Sequence, residues 1–271
     1  MKAFKFVLTV CAVFVTTLCV AQTTYTLEKN IAYKSGDDLT AYEKERCKLD
    51  IYYPTNVTNA PTIVWFHGGG LTGGEKSIPE ELKNQGAIIV APNYRLSPKV
   101  KSTECIEDAV AATAWIMQNI EKYHGDPKKI VMSGHSAGGY LSMMVIMNRI
   151  YLAKLGINAN QVAALVPFSG HTITHFTTRQ ERGIPGTQPV IDKYAPLYYV
   201  RKDTPPVLLI TGDREKEMLG RYEENAYFYR MLKVTGNTDV EIKELKGEDH
   251  GSMVAPGCKV LLAYMKEKGL L

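Results

Sequence analysis

Cysteine is scarce, five in 271 residues, and two of the five, Cys11 and Cys19, fall within the first 21 positions. The remaining Cys47, Cys105 and Cys258 are odd in number, widely spaced and free of any C-x-x-C pair. That excludes a disulfide-framed scaffold and a cysteine zinc site, and leaves room for at most one disulfide. An excess of one charge is lacking too: Lys and Arg number 32 against 28 Asp and Glu. Such a balance gives no electrostatic footprint for nucleic acid or for an anionic membrane. Long apolar runs are almost absent. The one that stands out, in the opening "MKAFKFVLTVCAVFVTTLCVAQ", covers roughly 15 residues, short for a spanning helix, so no stable membrane insertion is expected. Internal repeats and low-complexity linkers are missing as well, so residues 22–271 are expected to form a single domain with a sizeable core.

The opening run reads as a cleavable export signal. Lys2 and Lys5 precede the apolar stretch, and the small residue Ala21 stands before Gln22 where a signal peptidase cuts. Leu18 before Cys19 argues against a lipoprotein signal. The expected mature chain begins near Gln22 and is secreted or periplasmic.

Beyond the leader, β-rich runs alternate with helix-length amphipathic segments. "KLDIYY", "TIVWF", "AIIVAPNY", "KIVMS", "VAALVPF", "PVLLITG" and "VEIKEL" read as strands. Strands separated by helical patterns imply an α/β fold with a mostly parallel sheet and helices on both faces. The clearest helix lies in "STECIEDAVAATAWIMQNIEKYHG": Ser102 or Thr103 is placed to cap it, Ile106, Val110, Ala114, Met117 and Ile120 recur at helical spacing, and Gly125 is placed to stop it. Residues 170–205 keep no period. So long an irregular stretch in a compact domain suggests a short lid or binding loop.

Three segments carry chemistry. "WFHGGGLTGGEKS" places a glycine loop directly after a strand. Gly68, Gly70 and Gly73 satisfy G-x-G-x-x-G, a dinucleotide-type phosphate cradle; the same glycines also suit backbone N–H groups gathered around an oxyanion; a plain surface turn is the third reading. Gly134-His135-Ser136-Ala137-Gly138 lies between a strand and an apolar helix. There a strained turn exposes the Ser136 hydroxyl, and the helix N-terminus adds free N–H groups beside it. A serine nucleophile needs a near-neutral base. His250, in the loop between the last strand and the last helix, stands where a base arriving late in the chain belongs. Asp213 and Glu215, at the end of "PVLLITG", are the carboxylates placed to hold the imidazole's tautomer.

With His67-Gly68-Gly69-Gly70, Tyr94-Arg95-Leu96-Ser97-Pro98, Gly134-His135-Ser136-Ala137-Gly138-Gly139 and His250-Gly251 in this order, the chain resembles α/β-hydrolases of the esterase type. It is similar to the hormone-sensitive-lipase-like and feruloyl/acetyl-esterase-like branches over roughly residues 45–270. The resemblance implies Ser136 as nucleophile, His250 as base, and an oxyanion hole of the Gly68, Gly69 and Ala137 N–H groups. It moves the acid to Glu215, with Asp213 as the alternative, because similar esterases end this strand with H-G-x-x-D or T-A-G-x-D. A dinucleotide reading loses ground, since the next strand ends in "VAPNYR" without the ribose-binding acid, although Arg95 would suit a 2′-phosphate.

His135, where the hormone-sensitive branch commonly has aspartate, points to the smaller feruloyl- or acetyl-type esterases. Little sequence precedes the first strand, so a large N-terminal cap is not expected and residues 170–205 are left to shape the pockets. His171, Phe176, Arg179 and Tyr198 are the side chains there that could face substrate. His171 and His175 have a metal-compatible spacing, but no third ligand adjoins them in sequence. The expectation is therefore an exported serine hydrolase acting on a small-molecule or carbohydrate ester, of acetyl or feruloyl type, without metal or cofactor. An amide-cleaving hydrolase (a small peptidase or arylformamidase) on the same triad, or a non-catalytic binding protein on the same scaffold, are the alternatives.

Overall fold

Residues 23–218 and 220–271 are described by the structure, a computed structural model. The leader expected over residues 1–21, with its cleavage point at Ala21/Gln22, lies outside the described residues.

Eight strands form one sheet: β1 (Tyr25–Ala32), β2 (Lys48–Pro54), β3 (Ala60–Phe66), β4 (Ile88–Pro92), β5 (Gly125–His135), β6 (Ala164–Phe168), β7 (Val207–Gly212) and β8 (Val240–Leu245). Their spatial order is β1-β2-β4-β3-β5-β6-β7-β8. The pairs β1/β2 and β2/β4 are antiparallel and every other pair is parallel. All seven expected strands are present. The eighth, β1, escaped the sequence reading because it is an edge strand with mostly solvated side chains, and its register breaks between Glu28 and Ile31, where Asn30 takes a φ of 61°. No alternation survives such a break.

The inner strands are buried on both faces, and their alternation sorts side chains between two cores. From β3, Val64 and Phe66 point to one face, Ile63 and Trp65 to the other. From β7, Val207 and Leu209 oppose Leu208 and Ile210 in the same way. The first face is covered by α2 (Ser102–Asn119), α3 (Ala137–Met147) and α6 (Arg221–Val234), the second by α7 (Val254–Glu267). Every residue of α3 is buried, so the helix is apolar all round rather than amphipathic. Shorter helices are α1 (Ala41–Arg46), α4 (Ile150–Ala153) and α5 (Phe176–Glu181).

The ends of α2 differ from expectation. Neither Ser102 nor Thr103 caps it: Lys101 occupies the cap position without a side-chain bond, and Ser102 is the first helical residue. The cap comes from a distant carboxylate, Glu181, which accepts the Ser102 N–H at 3.0 Å, the Ser102 hydroxyl at 2.8 Å and the Ser97 hydroxyl at 2.8 Å. An anion at a helix N-terminus meets both the free N–H groups and the positive end of the dipole. At the other end a 3-10 turn, Ile120–Tyr123, runs to His124, which takes the left-handed φ of 65° before Gly125 opens β5. The stop is therefore one residue earlier than Gly125.

Residues 170–205 hold α5 and a 3-10 turn at Pro196–Tyr199 within otherwise irregular backbone. The segment is tied down: Thr174 N–H bonds the Val190 carbonyl at 2.9 Å, Arg182 pairs with Asp192 at 2.5 Å, and the Thr177 hydroxyl donates to the Gly70 carbonyl at 2.5 Å.

Candidate active site

The strand-to-helix turn between β5 and α3 carries Ser136 at φ 55°, ψ −113°. A non-glycine residue here is strained, and the surroundings hold it there. A Cβ on Gly138 would sit 1.9 Å from the Phe66 carbonyl oxygen, and one on Gly134, at φ 153°, would sit 2.6 Å from that same oxygen. Only glycine on both sides lets α3 approach β3 this closely. Ser136 itself is fixed by its N–H to the Phe168 carbonyl, 2.8 Å, and by its carbonyl, which takes the Tyr140 N–H at 3.0 Å.

The glycine loop stands against this turn. Gly68 is backed by His135 and by the Ser136 Cβ, which a Cβ on Gly68 would meet at 3.4 Å. Gly69, at φ 111°, opens a tight turn whose carbonyl takes the Thr72 and Gly73 N–H groups at 3.0 and 2.9 Å. Ala137 is the first residue of α3, where N–H groups have no intrahelical partner. Of the three expected oxyanion donors, Gly68 thus stands against the Ser136 Cβ, Gly69 follows it in the loop, and Ala137 follows Ser136 in the chain. His67 braces the loop rather than reacting: its Nδ1 bonds the Gly68 carbonyl at 2.7 Å and its ring stacks on Tyr94 at 4.3 Å. Burial pulls it down to about 4, so it stays neutral.

His250 arrives in the loop after β8. Its carbonyl accepts the His135 Nε2 at 2.7 Å, and the two rings lie 4.7 Å apart. The residue preceding Ser136 thereby ties the His250 loop to the turn. Burial, then the neighbouring His250, brings the His135 imidazole down to about 4. A neutral His135 is a neutral donor and adds no second positive charge to the site.

The acid is a correction to the sequence reading. The carboxylate against His250 Nδ1 is Glu217, at 2.8 Å, and neither Glu215 nor Asp213. After β7 the chain makes a compact turn before the next helix. The Lys216 and Glu217 N–H groups both return to the Asp213 carbonyl, at 2.9 and 2.8 Å, and α6 begins only at Arg221. That turn folds position 217 back beneath the end of β7, where Gly212 N–H donates to Glu217 Oε1 at 3.0 Å. Asp213 is occupied as a turn cap, accepting the Glu215 N–H at 3.0 Å and the Gly247 N–H at 2.8 Å, while Glu215 is exposed. The five polar residues from Asp213 to Glu217 carry no hydrophobic period from which this turn could be read.

Glu217 has a fully buried side chain, while that of His250 is 20% exposed. Burial alone would raise the Glu217 carboxyl. Hydrogen bonds from His250 Nδ1, the Ser169 hydroxyl at 2.5 Å and the Gly212 N–H, with the His250 charge, outweigh it and hold the group at about 2. The Met218 N–H adds a further donor at 3.0 Å. An acid this strongly ionised fixes the Nδ1–H tautomer and leaves Nε2 as the nitrogen free to take a proton. Ser169 was not singled out from sequence. It sits just past β6 at φ 45°, and its hydroxyl also lies 3.2 Å from His250 Nδ1.

Arg95 is removed from any ligand role. It grips the buried Asp108 through Nε and Nη2, each at 2.8 Å, which leaves no fork for a nucleotide phosphate. In the irregular segment, His171, Phe176 and Arg179 line a cavity of about 710 Å³ with Met218, Arg221 and Glu224; the exposed Tyr198 does not. His171 Nδ1 meets Glu224 at 2.9 Å, while His175 caps α5 by accepting the Thr177 N–H at 3.2 Å. Among the described residues no cluster of three metal-ligating side chains occurs. Cys47, Cys105 and Cys258 are buried free thiols, and no described helix is long and apolar enough to cross a membrane.

This sheet order, a strained serine on the turn from β5 to α3, and a histidine–carboxylate pair delivered after β8 and β7 define an α/β-hydrolase. The chain belongs to the BD-FAE family, whose model matches residues 49–222. Among curated proteins it is 27% identical over 225 residues to Esterase LipC of Mycobacterium tuberculosis, covering 74% of this chain and 55% of that protein. It is 27% identical over 246 residues to the Probable carboxylic ester hydrolase LipM of the same organism, covering 80% and 56%. The chain thus spans little more than half the length of these relatives. Among solved structures, Thermogutta terrifontis esterase 2, phosphoramylated by tabun, superposes with a TM-score of 0.70 at 25% identity, covering 90% of this chain and 96% of that one. A truncated form of carbohydrate esterase from gut microbiota shares the fold, with a TM-score of 0.73 at 21% identity over 92% and 98% of the two chains.

Proposed function

We propose that this chain is an exported serine hydrolase of carboxylic esters. The observation that carries the reading is the Glu217–His250 bond of 2.8 Å, buried at the acid and open at the imidazole, beside a serine held on a strained turn. In the reaction, His250 Nε2 takes the Ser136 hydroxyl proton as Oγ bonds to the ester carbonyl carbon. The carbonyl oxygen becomes negative within reach of the Gly68, Gly69 and Ala137 N–H groups. Collapse of the tetrahedral adduct breaks the bond to the alcohol oxygen, and His250 returns the proton to it. Water then repeats the sequence on the acyl-enzyme, releasing the acid and restoring Ser136.

Relatives named as esterases support ester over other bonds. A neighbour named as a carbohydrate esterase fits acetyl or feruloyl esters of carbohydrate as substrate. Export rests on the leader alone and is checked by mass spectrometry of the protein purified from its native host, where the N-terminal peptide should begin at Gln22.

The activity test is chemical. Paraoxon should add a diethylphosphoryl group to Ser136, located by peptide mass spectrometry, in step with loss of p-nitrophenyl acetate hydrolysis. Ser136→Ala, with an unchanged circular dichroism spectrum, should take no label and lose on the order of a millionfold in kcat. Labelling elsewhere with activity intact in the folded variant would refute the assignment.

A further inference from the structure

Four arginines are buried in the described structure: Arg46, Arg95, Arg179 and Arg221. The first two are ion-paired, Arg46 with Glu75 at 2.5 Å and Arg95 with Asp108 at 2.8 Å. The other two are not. Arg179 is 3% exposed and Arg221 1% exposed, and among the described residues neither has a carboxylate within 4 Å. Arg179 donates to the Gln188 carbonyl and Arg221 to the Ser169 carbonyl, both neutral acceptors, and the Nε of each is buried without a partner. A guanidinium cannot shed its charge, and a buried charge with no carboxylate bonded to it is unfavourable. Two such groups line one cavity of about 710 Å³.

The acid lining that cavity is bonded to neither of them. Glu224 directs its carboxylate to His171 Nδ1 at 2.9 Å and to the Thr172 N–H at 3.1 Å. Burial and the nearby arginines hold His171 well below its usual range, so it contributes no charge; Glu224 acts on both arginines and the buried Glu217 on Arg221, but only through space, with no carboxylate bonded to either guanidinium. The cavity also adjoins the catalytic groups. Met218 follows Glu217 in the chain, and Arg221 holds the carbonyl of Ser169, whose hydroxyl binds Glu217. Phe176 presses on the glycine loop, its Cζ 3.0 Å from where a Gly70 Cβ would stand. The volume lies in the range of small-molecule sites.

We propose that this cavity binds a carboxylate carried by the substrate, with Arg179 and Arg221 as its counter-charges. The proposal deepens the esterase reading and rests on it for the word substrate. It makes the preferred ester an anionic one, such as an ester formed on a carboxylated sugar or an aromatic diacid, because a planar carboxylate matches a guanidinium fork.

The test is binding, which needs no turnover. Isothermal titration of the full mature chain with benzoate against benzamide, and with galacturonate against galactose, compares probes differing in charge. Each acid should bind about tenfold or more tighter than its neutral counterpart, the value of one charged hydrogen bond. In Arg179→Gln that preference should fall to about unity, while Arg179→Lys should keep part of it. A crystal of the wild-type protein with benzoate, which needs no variant to fold, should place the carboxylate on Arg179 or Arg221. Equal affinities, a preference that survives Arg179→Gln in folded protein, or benzoate bound away from both arginines would each overturn the proposal. Ester hydrolysis without acid preference sinks the cavity assignment alone; acid preference without any ester hydrolysis sinks the esterase reading alone.

Discussion

Two histidine–glutamate pairs flank the start of α6. His250 Nδ1 meets Glu217 at 2.8 Å, and His171 Nδ1 meets Glu224 at 2.9 Å. By distance they are twins. By environment they are opposites. Glu217 collects hydrogen bonds from His250, Ser169, Gly212 and Met218 and is held down at about 2, whereas burial raises Glu224. His250 is partly open to solvent, but the His171 side chain is 7% exposed and its ring is driven well below the usual range. The second pair is therefore a neutral imidazole donating to a carboxylate, although its separation alone would pass for a salt bridge. What distinguishes the pair proposed as catalytic is the number of donors on the acid and the access left to Nε2. Nearness of the two rings to their carboxylates says little.

The sharpest way to break this contrast is to neutralise each acid in turn. Glu217→Gln should lower kcat for p-nitrophenyl acetate by about 10³–10⁴-fold, as loss of a triad acid does. Glu224→Gln should cost no more than about tenfold. Similar losses in the two folded variants would show that the pairs are not functionally distinct.

Stability against pH gives the next largest separation, with opposite signs. The folded Glu217 carboxyl lies at about 2 against an ordinary 4.5, so its contribution is complete above 4.5 and is lost as pH falls towards 2. The fully buried side chain makes this on the order of 2–3 kcal/mol. The Glu224 carboxyl is raised, so the folded state holds that proton more tightly and loses stability as pH climbs through the interval above 4.5. Urea melts between pH 2.5 and 7 should show the acid-side loss flattened in Glu217→Gln and unaltered in Glu224→Gln.

A smaller effect is expected at Ser169. Ser169→Ala removes one donor from Glu217 and should reduce kcat about tenfold, with a modest rise in the pKa of the acid. No change in either would reduce Ser169 to packing. The smallest effects belong to the carboxylates first favoured from sequence. Glu215→Gln and Asp213→Asn should leave kcat within about threefold, with only Asp213→Asn lowering the melting temperature, through the loss of its two backbone caps.

The uneven legibility of the chain has a physical basis. The turn at Ser136 could be read because packing forbids alternatives: a Cβ at Gly138 collides with β3, so the chemistry and the spacing are locked together. Seven strands were visible because burial on one or both faces writes apolar residues into them, and β1 was not, since an exposed edge strand writes nothing. His250 was legible from its place after the last strand. Glu217 was missed by two residues because its position depends on a polar turn held by backbone bonds to Asp213. Arg179 was read as a side chain that could face substrate. Arg221 and Glu224 carried no local signal, for a lone arginine on a helix looks the same in sequence whether or not a counter-charge awaits it in the fold.

The Glu181 carboxylate, described above as the cap of α2, also sets the terms on which this protein can change. It fastens the end of α5 to Ser97 and Ser102 and so joins the cavity wall to the body of the protein. Between Glu181 and Asp192 the chain is mostly exposed and its two ends are already clamped by Arg182 and Asp192. Insertions there would lengthen the rim without uncapping α2 or touching the turn at Ser136. Evolution, or a designer, can trade one loop for another at that site as a cassette, provided the graft begins after Glu181 and leaves its carboxylate in place.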